Sequence, residues 1–373
     1  MSIASAPPSP RTPHQGMPPL EPAPPVSRFE FWPGNLFYIP VWAWVIWLSL
    51  RHGGVRLPLL ANPMFPAGGL VGESKTQILD LIQGDANAFV APYIALDRTA
   101  DTPAKDMAVA AAALRAAGLE LPVVAKPDLG CRGAGVRPIR AWPDLEHYLA
   151  GFPVGERLLL QTMVDVEGEA GVFYIRIPGE ARGRIFSLTL KYFPHVVGDG
   201  TSTLRELILA EPRAGLLSHL YLPRHTSRLD DVLPANTPFR LAFAGSHSRG
   251  AIFRNGGHLI TDAMSERFDA ISQAIPEFWF GRFDVRFADI EGLREGRDFR
   301  IVEVNGAGAE ATHIWDSRTR LRDAYKTLFR QFELLWRIGA LNRARGFKPE
   351  PIGRLIAGWR REKALIDAYP STE

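Results

Sequence analysis

The sequence predicts an α+β chain built in at least two lobes. Two observations carry this. Helix-period and strand-period segments alternate up to about residue 160, and beyond them antiparallel strand pairs follow with helices between. A third sets the scale: 373 residues, 46% hydrophobic and 22% charged, are enough for two or three packed lobes rather than one small core.

The elements read in order as follows. Asn62-Pro63 and Gly68-Gly69 mark loops before a helix beginning near Glu73. The glycines ahead of Lys75-Thr76 invite a phosphate-loop reading. It fails, because that motif needs glycine directly before the lysine and Ser74 stands there. Thr102 to Ala117 is alanine-rich, with Thr102 as cap, Pro103 at the first helical position and Gly118 at the end. LPVVAKPD reads as a strand, WPDLEHYLAGF as a helix and ERLLLQTMV as a buried strand. GEAGVFYIRIPGEARGRIFSLTLKYF is a hairpin turning at PGEARG. TSTLRELI is helical, FRLAFAGSHSRGAIFRNGGHLIT a second hairpin around Asn255-Gly256, and MSERFDAISQAI a helix. Two short strands, GRFDVRF and FRIVEVN, come next, then a long amphipathic helix over about 318–338 and a basic amphipathic helix, PIGRLIAGWRREKALIDAY.

Composition excludes some roles. Net charge is only +3 and no lysine-rich block or zinc-ligand spacing appears, so no nucleic-acid surface is expected. One cysteine, Cys131, precludes an internal disulfide framework and fits a reducing compartment. The proline-rich N-terminus has no apolar signal core and is expected to be a disordered tail over 1–27. Phe31 to Leu50 carries no charge. Pro33, Gly34, Asn35 and Pro40 interrupt it, leaving a helix short for a bilayer. A buried helix is the favoured reading; Trp42, Trp44 and Trp47 keep an interfacial one open, as a peripheral membrane contact through 36–50.

Two constellations carry chemistry. In VVAKPDLGCRGAGV a strand ends in Lys126, and Gly130, Gly133 and Gly135 follow in a turn. Glycines let backbone N–H groups approach an anion, and the lysine adds a point charge for phosphate. In the second, residues two apart on a strand share a face. Arg282, Asp284 and Arg286 therefore line one side of GRFDVRF, and Glu303 and Asn305 one side of FRIVEVN. If the strands pair, Asp284, Glu303 and Asn305 converge as oxygen ligands suited to Mg²⁺, which completes its octahedron with waters and substrate phosphates.

Together with LLLQTMVDVEGEAGVFYIR and KYFPHVVGDGTSTLRELI, these motifs make the chain resemble the ATP-grasp superfamily of carboxylate–amine ligases over roughly 92–315. Its central piece is similar to that of cyanophycin synthetases and D-alanine–D-alanine ligases. The resemblance implies an ATP-grasp fold, two α+β lobes clasping ATP, with an N-terminal helical extension and C-terminal helices. The expected divisions are a helical and loop region over 28–91, an N-lobe over 92–160, a C-lobe over 161–315 and C-terminal helices over 316–373. ATP and Mg²⁺ (or Mn²⁺) are the implied cofactors, and a small-molecule carboxylate and amine the implied partners.

By the same resemblance, Lys126 contacts phosphates under a flap from Gly130 to Val136. Gln161 to Val164, including Met163, hold adenine, and Glu169 takes the ribose. Lys191 is a second phosphate lysine, and His195 to Gly200 form a loop closing on the γ-phosphate. Asp284, Glu303 and Asn305 hold the metal, and Arg282 steadies an oxyanion. Arg176, Arg249, Glu310, His313 and Asp316 are candidates for an acceptor pocket. The expected reaction is carboxylate–amine ligation through an acylphosphate, in the cytoplasm. A D-alanine–D-alanine ligase-like enzyme and a non-ligase ATP-binding accessory protein of cell-surface biosynthesis remain alternatives. The loop after Asn305, Gly306 to Glu310, lacks the proline of the D-alanine–D-alanine ligases.

Overall fold

The computed structural model describes residues 12–99, 102–131 and 133–370. Two antiparallel sheets organise the chain. The first contains β1 (Tyr93–Asp97), β2 (Val123–Pro127), β3 (Arg137–Ile139) and β4 (Arg157–Thr162), in the order β1-β4-β2-β3. The helices α4 (Pro103–Ala116) and α5 (Trp142–Gly151) cover one face of this sheet. Their apolar positions Ala110, Leu114, Leu145 and Leu149 meet Val123, Ala125, Leu158 and Leu160 in one core. Helix-period and strand-period apolar residues thus meet as the sequence predicts.

The second sheet contains β5 (Gly168–Ile175), β6 (Arg184–Tyr192), β9 (Ile252–Asn255), β10 (Phe280–Phe287) and β11 (Phe299–Asn305), in the order β11-β10-β5-β6-β9. The helices α9 (Asp262–Gln273) and α10 (Ile290–Arg294) pack beneath it, where Met264, Phe268 and Ile271 meet Val172, Phe283 and Ile301. β5 and β6 form the hairpin expected from GEAGVFYIR and its partner run. The chain is therefore α+β with two sheet–helix lobes.

The second expected hairpin does not form. β9 joins β6, and the segment before it supplies β8 (Pro238–Arg240), which pairs with β7 (His195–Val197) in a separate two-stranded sheet. Asn255-Gly256 leads into a 3₁₀ turn over Gly257–Leu259 instead of a return strand. Apolar alternation identified the strands, but their partners are set by tertiary packing. Three short helices, α6 (Leu204–Ala210), α7 (Pro212–Leu216) and α8 (Ser218–Tyr221), surround a small core of their own with Leu204, Ile208, Tyr221 and Leu241.

The N-terminal region departs furthest from expectation. Residues 1–11 lie outside the described residues. From Thr12 onward the proline-rich segment is packed, not free: Met17 and Leu20 touch the core of the second lobe. His14 Nε2 bonds Phe193 O at 2.9 Å, and Tyr192 donates to Pro18 O at 3.0 Å. Composition suggested a tail because few apolar residues occur there. Backbone carbonyls and two apolar anchors suffice to tie it down.

After α1 (Gly34–Phe37), helix α2 (Ile39–His52) lies along α11 (Leu321–Ala344). Val41 and Leu48 are buried, and Trp44 donates its indole N–H to Phe329 O at 2.9 Å. The favoured buried reading fails for the other face, where Trp42, Ile46 and Leu50 are exposed. Among the described residues no helix is long and apolar enough to cross a membrane.

The Asn62 turn fastens this N-terminal region to the second sheet. Its side chain is fully buried. It donates to Phe280 O and Gly68 O and accepts from the backbone N–H of Trp279 and Phe280. Helix α3 (Lys75–Leu79) follows, capped by Ser74, and α12 (Ile352–Ala368) closes the chain against the first lobe. Replacing Asn62 by Ala strands several buried backbone groups. We expect it to cost about 3 kcal/mol in denaturant unfolding, and a loss within error of zero would show that the turn is not a fastening.

Candidate active site

A cavity of about 1590 Å³ opens between the two sheets, lined from one side by Lys126, Gln161, Met163 and Val164 and from the other by Asp284, Glu303 and Asn305. Its size exceeds that of an ordinary single-ligand pocket.

The second sheet supplies a charged floor. β10 pairs with β11 so that Asp284 stands opposite Glu303 and Arg282 opposite Asn305, with a register shift immediately after Asp284. β10 also pairs with β5, setting Arg286 opposite Glu169. Alternation then brings Glu169, Lys191, Arg282, Asp284 and Arg286 to one face. Their side chains are joined: Arg286 to Glu169 at 2.8 Å, Lys191 to Glu169 and to Asp284 at 3.1 Å, and Arg282 to Asp284 at 2.8 Å. Lys191 is interior and 4% exposed. Gly171 makes this geometry possible, since a Cβ there would meet Arg282 Cδ at 3.0 Å.

Burial works against every charge on the floor, and pairing offsets it. Burial alone would raise the Asp284 carboxyl, but Arg282 and Lys191 hold it at about 2. Glu169 is likewise below its ordinary range, because Lys191 and Arg286 outweigh burial. Arg282 is held above its own, its carboxylate neighbours outweighing burial, Asp284 first among them. Both carboxylates are therefore ionised.

The opposite wall comes from the first sheet. Lys126 closes β2 and donates to Gln161 Oε1 at 2.6 Å and to Val302 O at 3.2 Å, so its ammonium spans the two sheets. Burial depresses it to about 8, the carboxylate of Glu303 resisting. Beyond it, Gly130, Gly133 and Gly135 have φ of 140°, 73° and 66°, values that L side chains rarely adopt. Gln161 to Val164 form the link from β4 toward β5, and Gln161 is pinned by donating to Ala91 O.

Two contributors were not foreseen. Lys75, set aside with the failed phosphate-loop match, lines the cavity. It donates to Gly130 O at 2.6 Å and stands 3.6 Å from Glu303. Asp128 fixes its position by accepting from Ser74 Oγ and the Thr76 N–H. The signal was present as a lysine one residue into a capped helix, but only tertiary contact shows what it faces. Helix α12 is the second: Glu362 accepts from the Gly72 N–H at 2.9 Å, and Tyr369 donates to Leu129 O at 2.8 Å. Trp359, Lys363 and Ile366 thereby join the cavity wall.

Of the acceptor-pocket candidates, Arg249 and Glu310 line the cavity. Glu310 accepts from Trp315 Nε1 at 2.7 Å and is also bonded by Tyr38. Arg176 does not line it; it stacks on Trp279 at 4.2 Å. His313 and Asp316 face a smaller cavity of about 880 Å³. The segment His195 to Gly200 is also outside the wall. His195–Val197 is held by β8, and Gly198 and Gly200 donate to Thr237 O and Leu233 O.

Among the described residues no group of three or more His, Cys, Asp and Glu side chains could hold a metal ion. Asp284, Glu303 and Asn305 comprise two carboxylates and an amide. Such a set fits Mg²⁺ only when substrate phosphates and waters complete the shell. One observation favours the fit: the Asn305 Nδ2 is buried without a hydrogen-bond partner. Turning the amide places its oxygen at that unsatisfied position.

No protein-family model matches the chain, and no curated protein does. Solved structures do resemble it. A bifunctional glutathione synthetase from Pasteurella multocida matches at 16% identity and TM-score 0.34, over 69% of this chain and 36% of that one. The D-cycloserine synthetase DcsG matches at 15% identity and TM-score 0.37, over 72% and 73% respectively. The chain thus spans about a third of the length of the first. Both are distant resemblances in architecture.

Glu73 offers a test of the charge balance in the cavity. Burial, and then Glu303, raise its carboxyl to about 8, although it accepts from the Gly306 N–H. A raised carboxyl contributes stability below its unfolded pKa and loses it as pH climbs through the folded value. Glu73→Gln should therefore raise the melting temperature at pH 8 and change it little at pH 5. An equal shift at both pH values would overturn the assignment.

Proposed function

We propose that the chain is an ATP- and magnesium-dependent ligase that joins a carboxylate to an amine through an acylphosphate. One observation carries the reading. A glycine turn with Lys126 and Lys75 faces, across a single cavity, the paired-strand acids Asp284 and Glu303 with Asn305 beside them.

In this reading the turn over 130–136 and the two lysines take the triphosphate, whose negative charge needs fixed cations and backbone donors. Gln161 to Val164, with Met163, hold the base, and Glu169 the ribose end. Asp284, Glu303 and Asn305 would hold Mg²⁺, which would supply neutralisation of phosphate charge. A carboxylate oxygen attacks the γ-phosphorus, the bond to the bridging oxygen breaks, and ADP leaves. An amine nitrogen then attacks the acyl carbon. Arg282 and Lys191 stabilise the oxyanion before phosphate departs with the C–O electron pair, and the amine proton passes to solvent. Closure between the sheets keeps water from the acylphosphate.

Asp284→Asn and Glu303→Gln should each lower ATP turnover by at least about 100-fold. Glu303 is the cleaner test, because its side chain is partly exposed and makes one long ion pair, to Lys75, whereas Asp284 is buried between Arg282 and Lys191. Folded protein with wild-type-like turnover and Mn²⁺ affinity in Glu303→Gln would remove the metal assignment. Lys126 provides a pH signature. Its charge is lost as pH rises through about 8 in the free protein, so ADP affinity measured by calorimetry should weaken across that value. Lys126→Arg, permanently charged, should flatten the profile. An unchanged profile would detach Lys126 from the phosphates.

A further inference from the structure

We infer that the outer face of α2 is a docking surface for an anionic lipid bilayer, on which the helix lies flat. The inference is independent of the ligase reading.

The face is an unbroken apolar stripe. Leu36, Ile39, Trp42, Ile46, Trp47 and Leu50 recur at helical spacing, with Trp42 61%, Ile46 62% and Leu50 79% exposed. The clustering is local: nine of the twenty-one large exposed apolar side chains of the described residues fall within residues 31–55. Folded proteins rarely leave so concentrated a patch in water without a use for it. The opposite face is committed, with Val41, Trp44, Val45 and Leu48 packed into the body beside α11. Only one side can therefore enter an apolar phase, and only to a shallow depth.

Chemistry selects a bilayer as the occupant. Residues 31–56 contain no carboxylate, and Arg51, His52 and Arg56 gather at the C-terminal end of the helix. The guanidinium of Arg51 lies over Trp47 at 4.9 Å, and Arg343 reaches the His52 and Gly53 carbonyls from α11. The stripe thus ends in the basic side chains of Arg51 and Arg56, complementary to phosphate headgroups. The tryptophans agree. Trp44, Trp315 and Trp336 spend their indole N–H on internal acceptors. Trp42 and Trp47 have none among the described residues, and they keep an apolar body beside a polar N–H, as the headgroup boundary requires.

Flotation of the full-length protein with vesicles tests this. One set would be phosphatidylcholine alone, the other equal parts phosphatidylcholine and phosphatidylglycerol. The protein should float with the second and far less with the first. Ile46→Ser with Leu50→Ser should lower the partition by on the order of tenfold or more, and Arg51→Glu with Arg56→Glu should abolish the preference for phosphatidylglycerol. These are surface positions, so melting temperature should hold. Three results would overturn the inference. The wild type could stay unfloated with both vesicle sets, or be recovered equally from both. Alternatively, sedimentation velocity could reveal a dimer that Ile46→Ser with Leu50→Ser dissociates, assigning the face to a second copy of the chain.

Discussion

The buried chain of charges Arg286–Glu169–Lys191–Asp284–Arg282 is the interaction on which the rest of the structure depends. Taking such groups out of water is costly, and each is tolerable only because its neighbour carries the opposite sign. That requirement fixes the register of three adjacent strands, because a slip of one residue would turn every charge into the apolar core beneath. The row holds three cations and two anions. Its surplus positive charge lies on the floor of a cavity that has low-dielectric walls.

The cavity exists because the N-terminal region joins the sheets at their edges. Asn62 binds the backbone of β10, Asp128 binds Ser74 and Thr76, and Glu73 meets Gly306. Gly306 approaches so closely that a Cβ on it would lie 2.7 Å from Gly69 Cα. Segments remote in sequence are thus stitched together by polar side chains accepting from or donating to backbone. α12 repeats the device from the other terminus through Glu362 and Tyr369. Apolar packing backs these fastenings, with Phe65, Ile78, Leu79 and Ile82 buried in the core of the second lobe.

The strands and most helices were legible because their signals are local. The alternation in GRFDVRF and FRIVEVN, the glycine and proline loop signals and the Thr102-Pro103 helix start all act within a few residues. What misled was composition without contacts. The prolines before Arg28 suggested a free tail, and the uncharged run from Phe31 to Leu50 was read first as a buried helix, yet one is packed and the other half exposed. The GESK segment fails the phosphate-loop motif, yet Lys75 reaches the same cavity as Lys126 by another path.

By itself the sequence determined which residues could share a face. The two-residue period of a strand places Arg282, Asp284 and Arg286 together, and Glu303 with Asn305, whatever the surroundings. Tertiary structure alone decided what those faces meet. It put Asp284 opposite Glu303 and brought Lys75 to the glycine turn. It sent β9 to β6 instead of into a hairpin, and turned half of α2 outward. The reason is range. Steric and periodic preferences act over a few bonds and are written at each position, whereas pairing and burial depend on the summed complementarity of surfaces far apart in the chain.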